Sequence, residues 1–354
     1  MSDRLSRLLA ERPWLLADGA TGSNLFNVGL VSGEAPELWN LSHPDRIASL
    51  HRGFVDAGSD IILTNSFGGT CYRLKLHNSE SRVHELNVAA ARIARAEADA
   101  SGRVVVVAGS IGPTGEILEP IGPLSKDAAR VAFAEQAVAL AEGGADVLWI
   151  ETMSSKEEVE AAIEGAWTSG LPVVSTLSFD TNGRTMMSLT PAELADIHKS
   201  HGLFACGSNC GVGPSELIAS IVNLATASDA SAVLVAKSNC GIPQYVDGAI
   251  RYNGTPELMA TYACMAFDAG ARIIGGCCGT TAEHLRAMRA ALESHTRGEK
   301  PDAASIEARL GTISAGARAQ LNGLMDRASG AAPGSIGRRA TGRRAPRADA
   351  KPDR

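Results

Sequence analysis

The stretch Gly143-Gly144-Ala145-Asp146-Val147-Leu148-Trp149-Ile150-Glu151-Thr152 decides the reading of the fold. The glycines suit the left-handed cap that ends a helix. A continuous apolar run follows, and polar residues close it. A strand that is apolar at consecutive positions is buried on both faces, as in a parallel sheet covered by helices. The same punctuation recurs in AGSDIIL at 57–63 and AGARIIG at 269–275.

Working outward, eight β-like runs are expected at 14–18, 60–65, 104–110, 146–151, 172–179, 203–209, 232–238 and 272–277. Helical stretches are expected between and after them, at 45–57, 80–100, 126–143, 156–169, 191–201, 214–226, 256–269 and 282–295. Eight alternating pairs predict an α/β fold of the (β/α)8 TIM-barrel type. An open doubly wound sheet is the competing arrangement, but no GxGxxG phosphate loop follows the first run. The expected division is a barrel over 1–300, a short helical extension over 301–327 and a disordered basic tail over 328–354. The tail holds almost no large apolar residue, so burial cannot offset its ordering entropy.

The 354 residues are 45% hydrophobic and only 4% aromatic, with 37 glycines. This suits close helix-on-sheet packing and disfavours an aromatic nucleic-acid platform. The net charge of −6 is unevenly placed. Residues 327–354 hold eight Lys/Arg and two Asp/Glu, a net of +6, which leaves −12 on the remainder. An acidic body with a basic tail predicts no nucleic-acid partner. No stretch reads as a signal peptide, and no apolar run reaches the ~20 residues of a membrane span. Seven cysteines in such a chain are read as reduced thiols in the cytoplasm, where clusters mean metal or catalysis more often than disulfides.

Barrels of this class carry their chemistry at the C-terminal ends of the strands. There the adjacent pair Cys277-Cys278 stands out. Neighbouring side chains on a strand point to opposite faces, so the strand must end and turn for both to reach one centre. Gly275, Gly276 and Gly279 allow that turn. Cys210, at the end of the sixth run, would converge on the same mouth. Three thiolates with one open position suit catalytic Zn2+. The alternative for the trio is three buried, inert cysteines. Cys206 lies four residues before Cys210, about 13 Å away along a strand at ~3.3 Å per residue, and is expected in the core. Cys264 is expected to pack mid-helix, and Cys71 and Cys240 to be loop or core residues.

Three thiolates and Zn2+ carry −1, and a substrate thiolate would make the site −2. The metal would lower that thiol's pKa, while the electron-rich ligands would keep it nucleophilic. This favours alkyl transfer to sulfur over hydrolysis, which more often uses His-rich zinc sites. Other strand-end groups suit an amino-acid substrate. The turn at Gly19 and Ala20 offers backbone N–H groups to a carboxylate. Thr64 offers a hydroxyl donor. Asp18 and Glu151 offer anions to an ammonium group; the alternatives are a turn or cap role for Asp18 and a structural ion pair for Glu151. Asn239 either fills the open position on zinc or bonds loop backbone.

Together the motifs resemble the homocysteine S-methyltransferase family. The carriers are DGATGSNL (18–25), GSDIILTNSFGGT (58–70), GSIGPTGE (109–116), WIETM (149–153), GSNCGVGP (207–214) and GGCCGTT (275–281). The resemblance implies a (β/α)8 barrel, zinc on Cys210, Cys277 and Cys278, and homocysteine contacts at Asp18, Gly19, Ala20, Thr64 and Glu151. It implies methionine formation by attack of the zinc-bound homocysteine thiolate on a methyl donor. Betaine–homocysteine methyltransferase, a free-standing member, holds its trimethylammonium donor with aromatic residues. The matching positions here are Gly68 and Thr152, with Trp39, Tyr72 and Phe67 nearby. Betaine or a related small donor is therefore one expectation. The homocysteine-binding domain of cobalamin-dependent methionine synthase is also similar, and the folate and cobalamin modules of that enzyme have no counterpart in this sequence. A methylated corrinoid protein acting as a separate partner is thus the second expectation. A third, of another class, is a zinc- or thiol-binding sensor without turnover. The sequence is compatible with a homo-oligomer.

Overall fold

The computed structural model describes residues 4–246 and 249–324. Its strands are β1 (Leu15–Leu16), β2 (Ile61–Leu63), β3 (Val106–Ile111), β4 (Val147–Met153), β5 (Val173–Leu177), β6 (Ala205–Cys210), β7 (Val233–Ser238), β8 (Pro243–Val246), β9 (Ala249–Tyr252) and β10 (Ala271–Gly276). Eight of them form one sheet in the order β1-β10-β7-β6-β5-β4-β3-β2. All its pairings are parallel. A single bridge, Ala17 to Ile61, joins the two ends into a ring. This is the expected TIM barrel.

Side chains that alternate along the strands fill the interior. Leu15, Ala17, Ile61, Leu63, Val106, Ala108, Val147, Trp149, Val174, Ala205, Val235 and Ile273 form one buried cluster. The same parity carries on to Ser110, Glu151, Asn209, Lys237 and Cys277. The barrel's topmost inner positions are therefore polar, directly above an apolar filling.

The eight expected helices are present as Pro44–Asp56, Val83–Ala100, Lys126–Glu142, Lys156–Ala166, Pro191–His201, Pro214–Ala227, Pro256–Asp268 and Ala282–Ser294. They pack outside the sheet through apolar clusters rich in alanine. Among the elements not expected, two matter for the barrel's ends. The helix Arg4–Glu11 buries Leu5, Leu8 and Leu9 against the barrel interior and plugs its N-terminal end. The antiparallel hairpin β8–β9 follows β7 at the other end. Residues 301–324 include the helices Ala303–Leu310 and Ala315–Leu321, which contribute Ile306 and Ala317 to the outer core. The basic tail expected over 328–354 lies outside the described residues. Among the described residues, no helix is long and apolar enough to cross a membrane.

Candidate active site

Cys277 and Cys278 follow directly on the end of β10. The chain turns there because its glycines permit it. A Cβ on Gly276 would lie 2.3 Å from the Thr280 side chain, and Gly279 has φ +80°. On β6, Cys210 itself is left-handed, with φ 62°, and Gly211 follows with φ 76°. These turns bring three sulfurs together. Cys277 Sγ lies 3.4 Å from Cys210 Sγ, and Cys278 Sγ lies 3.8 Å from it. All three sulfurs sit within 4.8 Å of one another and could hold a metal ion.

The electrostatics of the trio follow from this crowding. Cys278 is pushed down to about 3, first by the hydrogen bond from Cys210, then by those from Cys277 and the Tyr252 hydroxyl. Cys210 is pushed well up, because its hydrogen bonds to Cys277 and then Cys278 hold its proton. The crowding thus favours the thiolate at Cys278 and the thiol at Cys210 and Cys277, and binding of a metal would release the protons of those two.

Asn209 locks this region to β4. Its Nδ2 donates to Thr152 Oγ1 at 2.7 Å, and its Oδ1 accepts the Thr152 N–H at 2.9 Å. Thr152 is also left-handed, with φ 64°. Two of the five non-glycine residues with positive φ among the described residues, Cys210 and Thr152, therefore flank one side-chain clamp. Asn239 does similar work on the other side. Its Nδ2 donates to Gly211 O at 2.5 Å and its Oδ1 accepts the Cys278 N–H at 3.0 Å. Of the two expectations for Asn239, the structure displays the bonds to loop backbone.

Beside the sulfurs, Glu151 is buried and its Oε1 accepts a 2.5 Å hydrogen bond from Ser110 Oγ. Burial pushes its carboxyl up to about 7, and the nearby Lys237 ammonium opposes this. Lys237 is 2% exposed. Its Nζ lies 2.6 Å from Asp18 Oδ1 and 5.7 Å from the centre of the Trp149 ring. Burial alone would lower the Lys237 pKa, but Asp18 and Glu151 together carry it above its ordinary value.

Three sequence expectations change at this point. Asp18 is not a free anion, because it is fully buried and paired with Lys237, and its Oδ2 accepts the Leu63 N–H at 2.7 Å. The Ala20 N–H is already donated to Thr280 O at 3.1 Å, which leaves Gly19 on the cavity wall without that help. Thr64 has no spare proton. The Ser66 hydroxyl donates to Ser110 O, so the 2.6 Å contact between Thr64 and Ser66 must use the Thr64 proton. Thr64 Oγ1 also accepts the Ser110 N–H at 2.9 Å. Its hydroxyl therefore braces β2 against β3.

The remaining cysteines fall as expected for packing. Cys206 and Cys264 are buried, and Cys240 donates to Gly254 O. Cys71 opens a short helix and lies outside the trio.

A cavity of ≈ 350 Å3 opens over the three sulfurs. Gly19, Ala20, Thr64, Ser110, Glu151 and Lys237 line it, together with the loop residues Glu34, Glu37, Phe67, Arg73 and His77. Of the three aromatic residues near the mouth in sequence, only Phe67 reaches this wall. Trp39 is buried in a separate cluster under Arg46, and Tyr72 packs on the outer core. A Cβ on Gly68 would lie 2.9 Å from Glu37 Oε1, so a larger side chain there would have to displace that carboxylate from the Gly68 N–H.

Sequence reasoning missed Lys237, Ser110 and Asn209. Each was marked by a polar residue at the inward parity of an otherwise apolar strand.

The fold and site define a TIM barrel with a cluster of three thiols at its mouth. Residues 15–292 match the sequence profile of the homocysteine S-methyltransferases, and the chain belongs to this family of methyltransferases. Methionine synthase of Mycobacterium tuberculosis is 29% identical over 302 residues, which cover 81% of this chain and 25% of that protein. The Mycobacterium leprae methionine synthase is 29% identical over 314 residues, covering 84% and 26%. The chain thus spans about a quarter of the length of these relatives. Among solved structures, the metallated form of the Escherichia coli homocysteine methyltransferase MmuM superposes with a TM-score of 0.68 at 24% identity. That match covers 81% of this chain and 99% of the other. A methyltransferase from Methanosarcina mazei gives 0.54 at 16% identity, covering 82% and 98%. Both likenesses speak to the fold.

Proposed function

We propose that this protein methylates the thiol of homocysteine, forming methionine, with Zn2+ held by Cys210, Cys277 and Cys278. The observation that carries the reading is the spacing of the three sulfurs. Zinc–sulfur bonds of ~2.3 Å in a tetrahedron require sulfurs about 3.8 Å apart, and 3.4 and 3.8 Å are found. Bound there, zinc would act as a Lewis acid that keeps a substrate thiol ionised at neutral pH. The chain's own residues do the rest. Asn209 and Asn239 hold the loops that present the cysteines, and we assign Asn239 to this bracing rather than to the metal. Glu151 takes the substrate ammonium. The Gly19 side of the first loop faces its carboxylate. All seven cysteines are free thiols, which fits a reducing, cytoplasmic setting. The division into a catalytic barrel (1–300), a buttressing extension (301–327) and a basic tail (328–354) is part of this proposal.

For the donor we propose a small onium compound, betaine or a relative, in the outer part of the cavity. Phe67 offers one aromatic face, Glu34 and Glu37 offer negative charge, and Arg73 offers a partner for a carboxylate. The second reading, a separate methyl-corrinoid protein, is favoured by a different observation. Exposed apolar side chains crowd the loops around the mouth, among them Phe26, Ile117, Ile121, Met186 and Ile242. Such a collar suits a macromolecular donor.

The test is a donor panel. Zinc-loaded protein and homocysteine are incubated separately with betaine, dimethylsulfoniopropionate, S-methylmethionine, S-adenosylmethionine and free methylcobalamin. Methionine with one of the small onium donors supports the first reading. Methionine with methylcobalamin alone transfers support to the second. No methionine with any of them, nor with a methylated corrinoid protein, contradicts methyl transfer and leaves a sensor.

A further inference from the structure

Two carboxylates stand at the top of the barrel interior, and they are in opposite conditions. Asp18 is fully buried and does not line the cavity, and both of its oxygens are engaged. Glu151 lines the cavity and, among the described residues, has Ser110 rather than a cation as its hydrogen-bond partner. Between them stands one cation. Lys237 is held to Asp18 by its Oδ1 at 2.6 Å and its backbone carbonyl at 3.4 Å, with the Trp149 ring on another side. The other basic side chains on the cavity wall, Arg73 and His77, come from the segment after β2 rather than from the barrel interior.

We propose that Lys237 is a positioning residue: by holding Asp18, it leaves Glu151 as the one carboxylate of the barrel interior, beside the sulfurs, free to take the ammonium of an amino-acid substrate. This rests on the assignment of Glu151 made above. A protein with two free carboxylates here would repel its own thiolate cluster. A protein whose lysine paired with Glu151 would present no anion to the substrate. The Lys237–Asp18 bond settles which carboxylate is masked. An ammonium has three N–H donors and needs no fixed fork, so it can turn to another anion once its partner is neutral. Loss of charge at Asp18 would therefore send Lys237 towards Glu151, whose field it already feels.

The experiment uses the full chain as wild type, Asp18→Asn and the double variant Asp18→Asn/Lys237→Met, with Lys237→Gln as the alternative second change. Zinc content is measured in each. Calorimetry gives the affinity for homocysteine and for 4-mercaptobutanoate, which keeps the thiol and carboxylate but lacks the ammonium. Zinc should stay near one per chain throughout. Asp18→Asn should weaken homocysteine at least tenfold and change 4-mercaptobutanoate less than threefold. The double variant should recover homocysteine affinity to within threefold of wild type, because Glu151 is free again. A double variant as weak as Asp18→Asn would overturn the inference, since Asp18 would then touch the ammonium itself or support the fold. Unchanged homocysteine affinity in Asp18→Asn would overturn it equally. If Glu151→Ala leaves wild-type affinity intact, the underlying assignment fails, and this inference falls with it.

Discussion

The two ends of the barrel treat buried charge in opposite ways. At the N-terminal end, Asp60 stands before β2 and is fully buried. Arg12, Arg289 and Arg103 approach it at 2.6, 3.0 and 3.4 Å, and the Leu16 N–H donates to it at 3.0 Å. Leu5, Leu8 and Leu9 seal the interior beside it. Cations outnumber the anion, and each carboxylate oxygen has two partners. At the C-terminal end, Asp18, Glu151 and three cysteines surround one lysine. Acidic groups outnumber that lysine, and the site opens to a cavity. The first arrangement closes a fold. On the reading proposed above, the second keeps acidic groups available for a metal dication and an ammonium group.

That contrast can be broken in stages. The largest effect is expected at the thiols. Cys277→Ser or Cys210→Ala should reduce zinc from about one per chain to less than a tenth. Full zinc occupancy by metal analysis in either variant would remove the metal assignment. Glu151→Ala comes next. Losing a charged hydrogen bond worth roughly 1.5–3 kcal/mol should weaken homocysteine binding about tenfold to a hundredfold while the metal stays. Unchanged affinity by calorimetry would make Glu151 structural.

A smaller effect follows from the pH response of Glu151. Its carboxyl is raised to about 7 from an ordinary 4.5, so it is neutral below that pH and ionised above it. Binding of homoserine, which has the ammonium but no thiol, should weaken as pH falls through 7, and Glu151→Gln should flatten the curve. A wild-type profile that is flat between pH 6 and 8 would argue against an ionised Glu151 anchor. The linked stability has the opposite sign. A raised carboxyl binds its proton more tightly in the folded state, so its contribution is greatest at low pH and fades as pH rises from about 4.5 to 7. The smallest effect on function is expected at the closed end. Asp60→Asn should cost about 1–3 kcal/mol and lower Tm by several degrees, with zinc content and homocysteine affinity unchanged. Loss of either would mean that the two ends are coupled.

Much of the barrel was legible because parallel strands buried on both faces read as unbroken apolar runs. VVVVAG and DVLWI leave little else to infer. The helix Arg4–Glu11 was not legible, because its three core leucines sit among charged residues and only the barrel gives them a place to go. The hairpin β8–β9 lacks a strong period. At the site, the cysteines announced themselves through their adjacency and the glycines around them. Lys237 left a quieter signal, a charge inside the run VLVAKS that strand parity turns inward. Its bond to Asp18 spans 219 residues of chain and could not be read locally. For that reason Asp18 looked available when it is masked. Thr64 misled in a similar way, since only the full chain of donors through Ser66 and Ser110 shows where its proton goes.

The central claim is that Cys210, Cys277 and Cys278 together hold a zinc ion that has room for a substrate sulfur. X-ray absorption at the zinc edge tests it most directly. The account predicts three sulfur neighbours at about 2.3 Å in the zinc-loaded protein, rising to four when homocysteine is added. A sulfur count that stays at three with saturating homocysteine, or that never reaches three without it, would contradict the account.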